Sequence, residues 1–300
     1  MAHKFNSTRQ LEIILRDLDG AELRTVHKGP KIDTKTETGQ TFINQQISNK
    51  SEENHMAIVN ERTEKVASIV SDRYMLLEHE EAFEEILFAL KDLGIGISGD
   101  VKEYNDGNVA VIEATFDSQE FTIGESDECL MGFKAINSYD TSAGFQIHPY
   151  GLRLVCQNGM MAEGLIDSLP SLKRVHKGHD DITSKIALWL KDLSEHSQEL
   201  GDFLEEKRRE YLRNPVIVLR KAGFSETMAE EILEYVQRDK ISEDHGYTEA
   251  ENVASRFAIY DGATYYLTHE VEGMAYSTER TYNKAANRIL TKKKEVLNDE

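Results

Sequence analysis

The sequence predicts an α+β protein, in which a β-rich mixed N-terminal part with one or two helices is followed by a helical C-terminal part. Strand-like runs of β-branched residues dominate from residue 56 to about residue 160, and apolar residues recur at helical spacing after Asp181. No repeat of roughly 20–50 residues recurs, which argues against a solenoid. We expect an N-terminal segment with a polar arm over 1–54, a β-rich α+β core over 55–180 and a helical region over 181–300.

The composition indicates a soluble globular chain. Its 300 residues, 39% of them hydrophobic, are enough for two modest domains or one large one. No run approaches the roughly 18 apolar residues of a membrane helix, and the first ten residues, MAHKFNSTRQ, have no apolar signal core. Cys129 and Cys156 are too few for a disulfide scaffold and are expected to be small buried side chains. We therefore expect a cytoplasmic protein that makes no membrane contact.

The first elements combine an ambiguous segment, a polar stretch and a hairpin. Leu11–Leu18 is apolar with short alternation and fits either a strand or a helical turn. The stretch His27–Asn54 is polar, which predicts an ordered loop or a partly mobile arm. Two β-branched runs, Ala57–Val59 and Val66–Val70, are joined by the polar residues Asn60–Lys65. This pattern predicts a hairpin.

A helix and further strands are predicted next. Apolar residues at spacings of three, four and seven predict a helix over Glu80–Leu93, which Gly94 would end. Ile95–Tyr104 and Asn108–Phe116 flank Asn105–Gly107, and an Asp-Gly pair between apolar runs is a strong hairpin signal. Further strands are predicted at Glu120–Ile123, Leu130–Ile136, Gly144–His148 and Leu152–Cys156, the last closed by a turn at Asn158–Gly159.

Helices are predicted throughout the region after Asp181. They span Ile182 to Asn214, Ser225 to Arg238, Thr248 to Tyr265 or His269, and Ser277 to the C-terminal tail. The first should end before Pro215, because proline disfavours helical backbone in the residue that precedes it. The other three begin at a serine or threonine, whose hydroxyl can cap a helix. Glu251 completes a capping box with Thr248.

Several patterns that could indicate chemistry have a simpler structural explanation. Gly94–Gly99 matches G-x-G-x-x-G, but a helix enters it and a strand leaves it, the reverse of the dinucleotide-binding order. His176, His179, Asp180 and Asp181 lie on one predicted loop, whereas a zinc site draws its ligands from separated elements. No nucleophile elbow or Walker loop is present. We expect no catalytic residue, metal or cofactor, although converging Asp, Glu and His residues would favour a metal-dependent hydrolase.

The net charge of −19 repels nucleic acid on average, so the distribution of charge matters more than its sum. Three basic clusters interrupt the acidic chain. They are Lys173, Arg174 and Lys177, accompanied by His176 and His179; Lys207, Arg208, Arg209 and Arg213; and Lys284, Arg288 and Lys292–Lys294. The helix dipole alone can explain the second cluster. By contrast, Ser225–Glu251 carries nine acids and two bases, and such a surface cannot lie against phosphates.

Aromatic residues beside basic ones are candidate platforms for base stacking. Tyr74 follows Arg73, Tyr139 lies in a predicted turn, and Tyr150 is close to Arg153 in sequence. Another tyrosine group is expected in a helix core, namely Tyr260, Tyr265 and Tyr266. The predicted nucleic-acid surface consists of Arg73, Tyr74, Tyr139, Arg153, Lys173, Arg174 and Lys177.

Several segments, in their order along the chain, resemble a known family. They are Val70–Tyr74 followed by Glu81–Phe83, Asn137–Ser142 leading into Gly151–Met160, Arg174–His176, and Tyr260–His269. Together they are similar to phage/plasmid-like proteins, a family catalogued as a domain of unknown function and carried by prophages, plasmids and archaeal mobile elements. The similarity covers about residues 56–290. This chain departs from the family at Tyr139, where many relatives carry His, and at Asn158–Met160, where an Asn-Thr-Leu pattern is usual.

The resemblance implies a mobile-element setting and kinship with phage single-strand annealing proteins of the RecT and Red-beta kind. Those proteins are β-rich around a long helix, assemble into rings or filaments, and need no nucleotide or metal. We therefore expect a non-enzymatic homo-oligomer that binds or anneals single-stranded DNA in recombination or replication. A few cations per subunit suffice when many subunits line up. The alternative is a protein–protein interaction factor, which engages or inhibits host defence or replication proteins through the acidic helical face of Ser225–Glu251.

Overall fold

The structure is a computed structural model, and it confirms the α+β class. It describes residues 2–18, 20–25, 55–155, 157–161, 165, 168–174, 183–237, 247–248, 251–271 and 273–297. The predicted polar arm, the histidine loop at 175–182 and Cys156 lie outside the described residues. Cys129 is buried, as predicted. No helix in the described part of the chain is long and apolar enough to cross a membrane.

The chain forms two compact units, each built from separate stretches of sequence. The first unit consists of Met1–Glu113, Ala135–Ile147 and Leu172–Trp189. The second unit consists of Ala114–Lys134, His148–Ser171 and Leu190–Glu300. The predicted division at residues 54 and 180 follows changes in sequence character along the chain, and it stays a prediction.

The strands of the described residues form three sheets. They are β1 (Ala2–Phe5), β2 (Ala21–Thr25), β3 (His55–Asn60), β4 (Val66–Ser71), β5 (Ile97–Tyr104), β6 (Val109–Ile123), β7 (Asp127–Ser138), β8 (Phe145–Arg153), β9 (Asn158–Met161), β10 (Leu172–Arg174), β11 (Tyr211–Arg213), β12 (Tyr247–Thr248) and β13 (Val253–Ser255). The largest sheet has the order β1-β5-β6-β7-β8-β10, with β9 also paired to β8. The smaller sheets are β2-β3-β4 and β11-β13-β12. Among the described residues, strand β10 is therefore the last strand of its sheet.

The helices of the described residues lie mostly in the C-terminal part. They are α1 (Thr8–Arg16), α2 (His79–Asp92), α3 (Thr183–Glu195), α4 (Ser197–Arg208), α5 (Pro215–Ala222), α6 (Glu226–Val236), α7 (Arg256–His269), α8 (Tyr276–Thr291) and α9 (Lys294–Leu297). The ambiguous segment at Leu11–Leu18 is helical as far as Arg16, because Leu11 and Leu15 lie one turn apart and are both buried on one face of α1. The Ser7 hydroxyl caps this helix by accepting from the Gln10 N–H.

Local patterns in the first unit are confirmed. Strands β3 and β4 form the predicted antiparallel hairpin. Helix α2 buries Phe83, Ile86, Leu87 and Leu90 of the predicted apolar stripe, whereas Leu93 at its end is exposed. Gly94 after it has φ +66°, where glycine is favoured. Asn105, Asp106 and Gly107 all have positive φ in the turn between β5 and β6. Because α2 ends before Gly94 and β5 begins at Ile97, within the glycine-rich stretch, the order of helix before strand read from the sequence is confirmed.

The predicted long helix is wrong in two respects. It is divided into α3 and α4 at His196, whose φ of −111° leaves the helical region and whose Nδ1 contacts the Asp192 carbonyl oxygen at 2.8 Å. Asn214 and Pro215 then begin α5 after the short strand β11. Asn214 accepts a hydrogen bond from the Ile217 N–H, and proline suits the first helical turn because no N–H is needed there.

Sequence signals for helix starts were only partly reliable. Ser225 caps α6 by accepting from the Met228 N–H, as predicted. Thr248 lies in strand β12, and α7 begins after Ser255, which accepts from the Ala258 N–H at 3.0 Å. Ser277 lies inside α8, which has no side-chain cap. The two strands predicted on either side of Tyr150 are one strand, β8, and the predicted turn at Asn158–Gly159 belongs to β9.

Candidate nucleic-acid interface

Arg73 and Tyr74 follow strand β4 in the first unit. Arg73 is exposed, and a turn forms where the Tyr74 N–H donates to the Ser71 carbonyl at 2.9 Å. The Tyr74 ring is half-buried against a cluster that includes Ile58 and Val70. This burial raises the pKa of Tyr74 to about 12. Of the pair, Arg73 is the side chain that lies open to a phosphate.

Tyr139 does not lie on a surface, so the prediction that it stacks on a base is corrected. Its side chain is fully buried and stacks on the His79 ring, with a centroid distance of 3.8 Å. The Tyr139 hydroxyl accepts from the His79 N–H at 2.9 Å, and its carbonyl accepts from the Ser68 hydroxyl at 2.8 Å. Base stacking needs an exposed aromatic face, which Tyr139 does not have.

The ring of His79 is held by two polar contacts in the same core. Its Nε2 lies 3.1 Å from the Gly107 carbonyl oxygen, and its Nδ1 lies 3.0 Å from the Asn137 side-chain nitrogen. A carbonyl can only accept, so Nε2 carries the proton and Nδ1 accepts from Asn137. Asn137 also donates to the Leu77 carbonyl at 2.9 Å. These contacts fix the neutral imidazole in place, which is a structural role.

Arg153 is also buried, and its predicted role in binding phosphate is corrected. Its side chain is 1% exposed. The Nε lies 2.9 Å from both carboxylate oxygens of Asp127, and Nη1 donates to Asp261 at 2.6 Å. A guanidinium that is enclosed and neutralised in this way cannot reach a DNA backbone.

These residues belong to a larger arrangement in the second unit. Arg208 donates to Asp127 at 2.5 Å, and the guanidinium carbons of Arg153 and Arg208 lie 5.2 and 4.8 Å from the ring centroid of Phe257. The Asn158 side-chain nitrogen lies 2.8 Å from Asp261 Oδ1. The buried ionic cluster is defined as Asp127, Arg153, Arg208 and Asp261. Each buried charge of the cluster is paired with an opposite charge, which offsets the cost of burial, and Arg208 also contacts Glu205 at 3.3 Å.

Sequence reasoning missed this cluster. Asp127 and Arg153 are 26 positions apart, and Arg153 and Asp261 are 108 positions apart. No spacing rule connects residues at such separations. The one usable signal was the presence of Arg153, Asn158 and Asp261 in segments that resemble the family.

In the other two basic clusters, several cations bind carboxylates or backbone carbonyls of the protein itself. In the second cluster, Lys207 binds Glu206 and Glu210, and Arg209 pairs with Glu205 at 3.0 Å. In the third cluster, Arg288 donates to the Ala222 carbonyl and Lys292 to the Lys221 carbonyl. Three lysines of this cluster are exposed, namely Lys284, Lys293 and Lys294.

The first basic cluster begins on the last strand of the large sheet. Lys173 is exposed on β10, opposite Gln146 of β8 in an antiparallel pair. The backbone of Arg174 pairs with Phe145. The side chain of Arg174 and the whole of Lys177 lie outside the described residues.

Acidic side chains cover one face of α6. Its opposite face buries Ala229, Ile232 and Val236. The exposed acids of this helix are Glu226, Glu230, Glu231 and Glu234. Of the other predicted acids, Glu251 is exposed, and Asp239, Glu243, Asp244 and Glu249 lie outside the described residues.

Comparison with known proteins finds one family. Its model, described as Domain of unknown function (DUF932), matches residues 66–292. No curated protein and no solved structure matches the chain. Within the residues that the structure describes, no group of three or more His, Cys, Asp and Glu side chains could hold a metal ion.

Proposed function

The chain belongs to the family described as Domain of unknown function (DUF932), and on this premise we propose that it binds or anneals single-stranded DNA. The protein acts without catalysis, as a homo-oligomer, in recombination or replication of a phage or plasmid. One observation carries the proposal: exposed Lys173 lies on the edge strand β10, inside a run without acids from Pro170 to Gly178.

Such a run matters because phosphate contacts supply most of the affinity for single strands. Lysine and arginine side chains supply such contacts. The segment contains Lys173, Arg174 and Lys177 in a chain with a net charge of −19. The negative total does not prevent binding, because subunits that line up along a strand each add a few contacts.

The proposed surface is smaller than the one expected from sequence. The burial of Tyr139 and Arg153 removes both from it. Arg208 is likewise excluded, because it is held in the buried ionic cluster. The residues retained are Arg73, Tyr74, Lys173, Arg174 and Lys177.

The experiment is a fluorescence-anisotropy titration of a labelled oligothymidylate at low salt. We expect the triple variant K173A/R174A/K177A to bind at least about tenfold more weakly than the unchanged protein, because three phosphate contacts are lost. The matched control is K284A/K293A/K294A, which removes the same charge from exposed lysines of the third cluster. The control should bind within about twofold of the unchanged protein.

Two results would overturn this proposal. An unchanged protein that does not bind at about 50 mM salt would exclude the function, since phosphate binding is strongest at low salt. Equal weakening by both triple variants would show that total charge, and not the segment at Lys173, determines the binding.

A second candidate function is supported by the acidic face of α6. Four exposed glutamates on a helix whose other face is buried form a surface that could bind a basic protein, including the DNA-binding cleft of a host defence or replication protein. Affinity purification from host cells tests it. Recovery of nucleic acid with no host protein would contradict this candidate.

A further inference from the structure

Aromatic side chains of α6 and α7 meet beside the glutamates in the second unit. The rings of Tyr235 and Tyr265 stack with a centroid distance of 4.9 Å, and His269 lies 4.4 Å from Tyr265 by the same measure. Tyr266 donates a hydrogen bond to Glu231, which raises the pKa of Tyr266 to about 12. All three tyrosines are half-buried. The sequence-based prediction that Tyr265 and Tyr266 lie in the core is therefore only partly right.

The buried faces of α6 and α7 explain why the tyrosines lie beside the glutamates. Helix α6 buries Ala229, Ile232 and Val236, and α7 buries its N-terminal half as far as Thr264. The residues that follow Thr264 are only partly covered, so the tyrosines there share the surface with acids of α6. We name this the tyrosine–glutamate surface, defined by Glu230, Glu231, Glu234, Tyr235, Tyr265 and Tyr266.

The chemistry of this surface favours a planar cation. The face of an aromatic ring is electron-rich and attracts guanidinium groups, which can stack on it. Nearby carboxylates can accept hydrogen bonds from the same group. At the N-terminal end of α6, Glu226 already binds a cation of this kind, since Arg220 pairs with it at 3.4 Å. A phosphate backbone, in contrast, would meet the like charges of Glu230 and Glu234.

We infer that the tyrosine–glutamate surface binds an arginine-rich segment of a partner protein. The inference rests on the second candidate function and names the chemistry of its partner. Charge complementarity with a chain of net charge −19 supports it. Tyrosine and arginine are also among the residues that are enriched where binding energy is concentrated at protein interfaces.

The experiment titrates full-length protein with a labelled peptide of alternating arginine and glycine. A second peptide carries lysine at each arginine position, so that it keeps the charge and loses the planar group. We expect Y265L to weaken binding of the arginine peptide about three- to fivefold, the size of an exposed cation–π contact. Y265F retains the ring and should bind like the unchanged protein. The lysine peptide should bind more weakly and be less sensitive to Y265L.

Charge is tested with a matched pair of variants. E230Q/E234Q removes two carboxylates from the surface, and E81Q/E84Q removes two exposed carboxylates from α2. We expect the first to weaken binding about threefold or more and the second to change it less than twofold. The inference would be overturned if the two double variants weakened binding equally, or if Y265L did not change the affinity for the arginine peptide.

The outcome is separable from that of DNA binding. A Y265L protein that binds oligothymidylate normally and has an unchanged urea midpoint has kept its fold. A loss of peptide affinity in this protein then supports the arginine site. Unchanged peptide affinity in it contradicts the arginine site and leaves the DNA proposal standing.

Discussion

The Nε of Arg153 lies 2.9 Å from both carboxylate oxygens of Asp127, and each of the two side chains is 1% exposed. The same guanidinium reaches Asp261 through Nη1. A charge enclosed in a protein is tolerated when it is paired, and removal of one partner leaves the other without compensation. Loss of either partner alone should therefore destabilise the second unit.

Replacement of Arg153 by Met should lower the free energy of unfolding by about 3–5 kcal/mol, because Asp127 and Asp261 lose a buried cation. Urea denaturation measures the change. The control is Arg73→Met, which removes an exposed cation and should stay within about 0.5 kcal/mol of the unchanged protein. Similar stability of the two variants would contradict a structural role for the Arg153 ion pairs.

The Tyr139 hydroxyl is the acceptor for the His79 N–H at the start of α2. Tyr139→Phe leaves this N–H without its acceptor in the core, and we expect a loss of about 1–3 kcal/mol in the free energy of unfolding. Tyr282→Phe is a matched control, since the Tyr282 ring stacks on Phe224 in the second unit. The control should lose less than about 0.5 kcal/mol. A Tyr139→Phe protein as stable as the control would show that the hydrogen bond is unimportant.

Gly132 on β7 approaches the neighbouring backbone closely. A Cβ atom there would lie 1.9 Å from the Ala114 carbonyl oxygen, which belongs to the main chain and cannot rotate away. Gly132→Ala should therefore cost about 3 kcal/mol or more in the free energy of unfolding, at the upper end of the usual overpacking range. A Cβ at Gly94 would meet open space, and Gly94→Ala should cost only about 1–2 kcal/mol through its positive φ. The ratio of the two losses, read from chemical denaturation, checks the close approach.

Glu210 should make the free energy of unfolding depend on pH in the acidic range. Burial acts to raise its pKa, but the hydrogen bond from Lys207 and the charges of Arg256 and Lys207 outweigh burial and hold the pKa below the usual 4.5. A lowered folded-state pKa contributes stability that is present above the unfolded-state pKa and is lost as the pH falls through the folded-state pKa. The stability difference between the unchanged protein and Glu210→Gln should therefore shrink as the pH falls from about 6 to about 3.

Unfolding measured across this pH range checks the prediction for Glu210. Lys207→Met provides the complementary test, because it removes the cation that donates to Glu210. It should reduce the pH dependence without abolishing it, since Arg256 still donates to Glu210 at 2.6 Å. A stability difference between the unchanged protein and Glu210→Gln that does not change with pH would contradict the account.

Short-range patterns predicted much of the fold. The turn at Asn105–Gly107, the stripe of α2 and the cap at Ser225 each depend on residues a few positions apart, and the structure confirms all three. The capping box predicted at Thr248 has an equally clear sequence pattern. It failed because Thr248 pairs with Val253 in a small sheet, and that tertiary contact outweighs the local preference.

The candidate site was harder to predict because exposure and pairing depend on the whole fold. Arg153 and Lys173 are both cations beside apolar residues in the sequence. Only the fold shows that distant carboxylates enclose Arg153, whereas Lys173 is exposed on an edge strand. A charge map along the chain cannot distinguish a buried cation from an exposed one, since it records positions in the sequence and not burial in the fold.

The salt dependence of oligothymidylate binding tests the proposed function most directly. The slope of log K against log salt concentration is negative, and each phosphate contact to a single strand increases its magnitude by about 0.7. Lys173→Ala should therefore reduce the magnitude of the slope by about 0.7, whereas Lys284→Ala leaves it unchanged. Equal slopes for the unchanged protein and Lys173→Ala, or an affinity that does not vary with salt, would contradict a DNA-binding role for this strand.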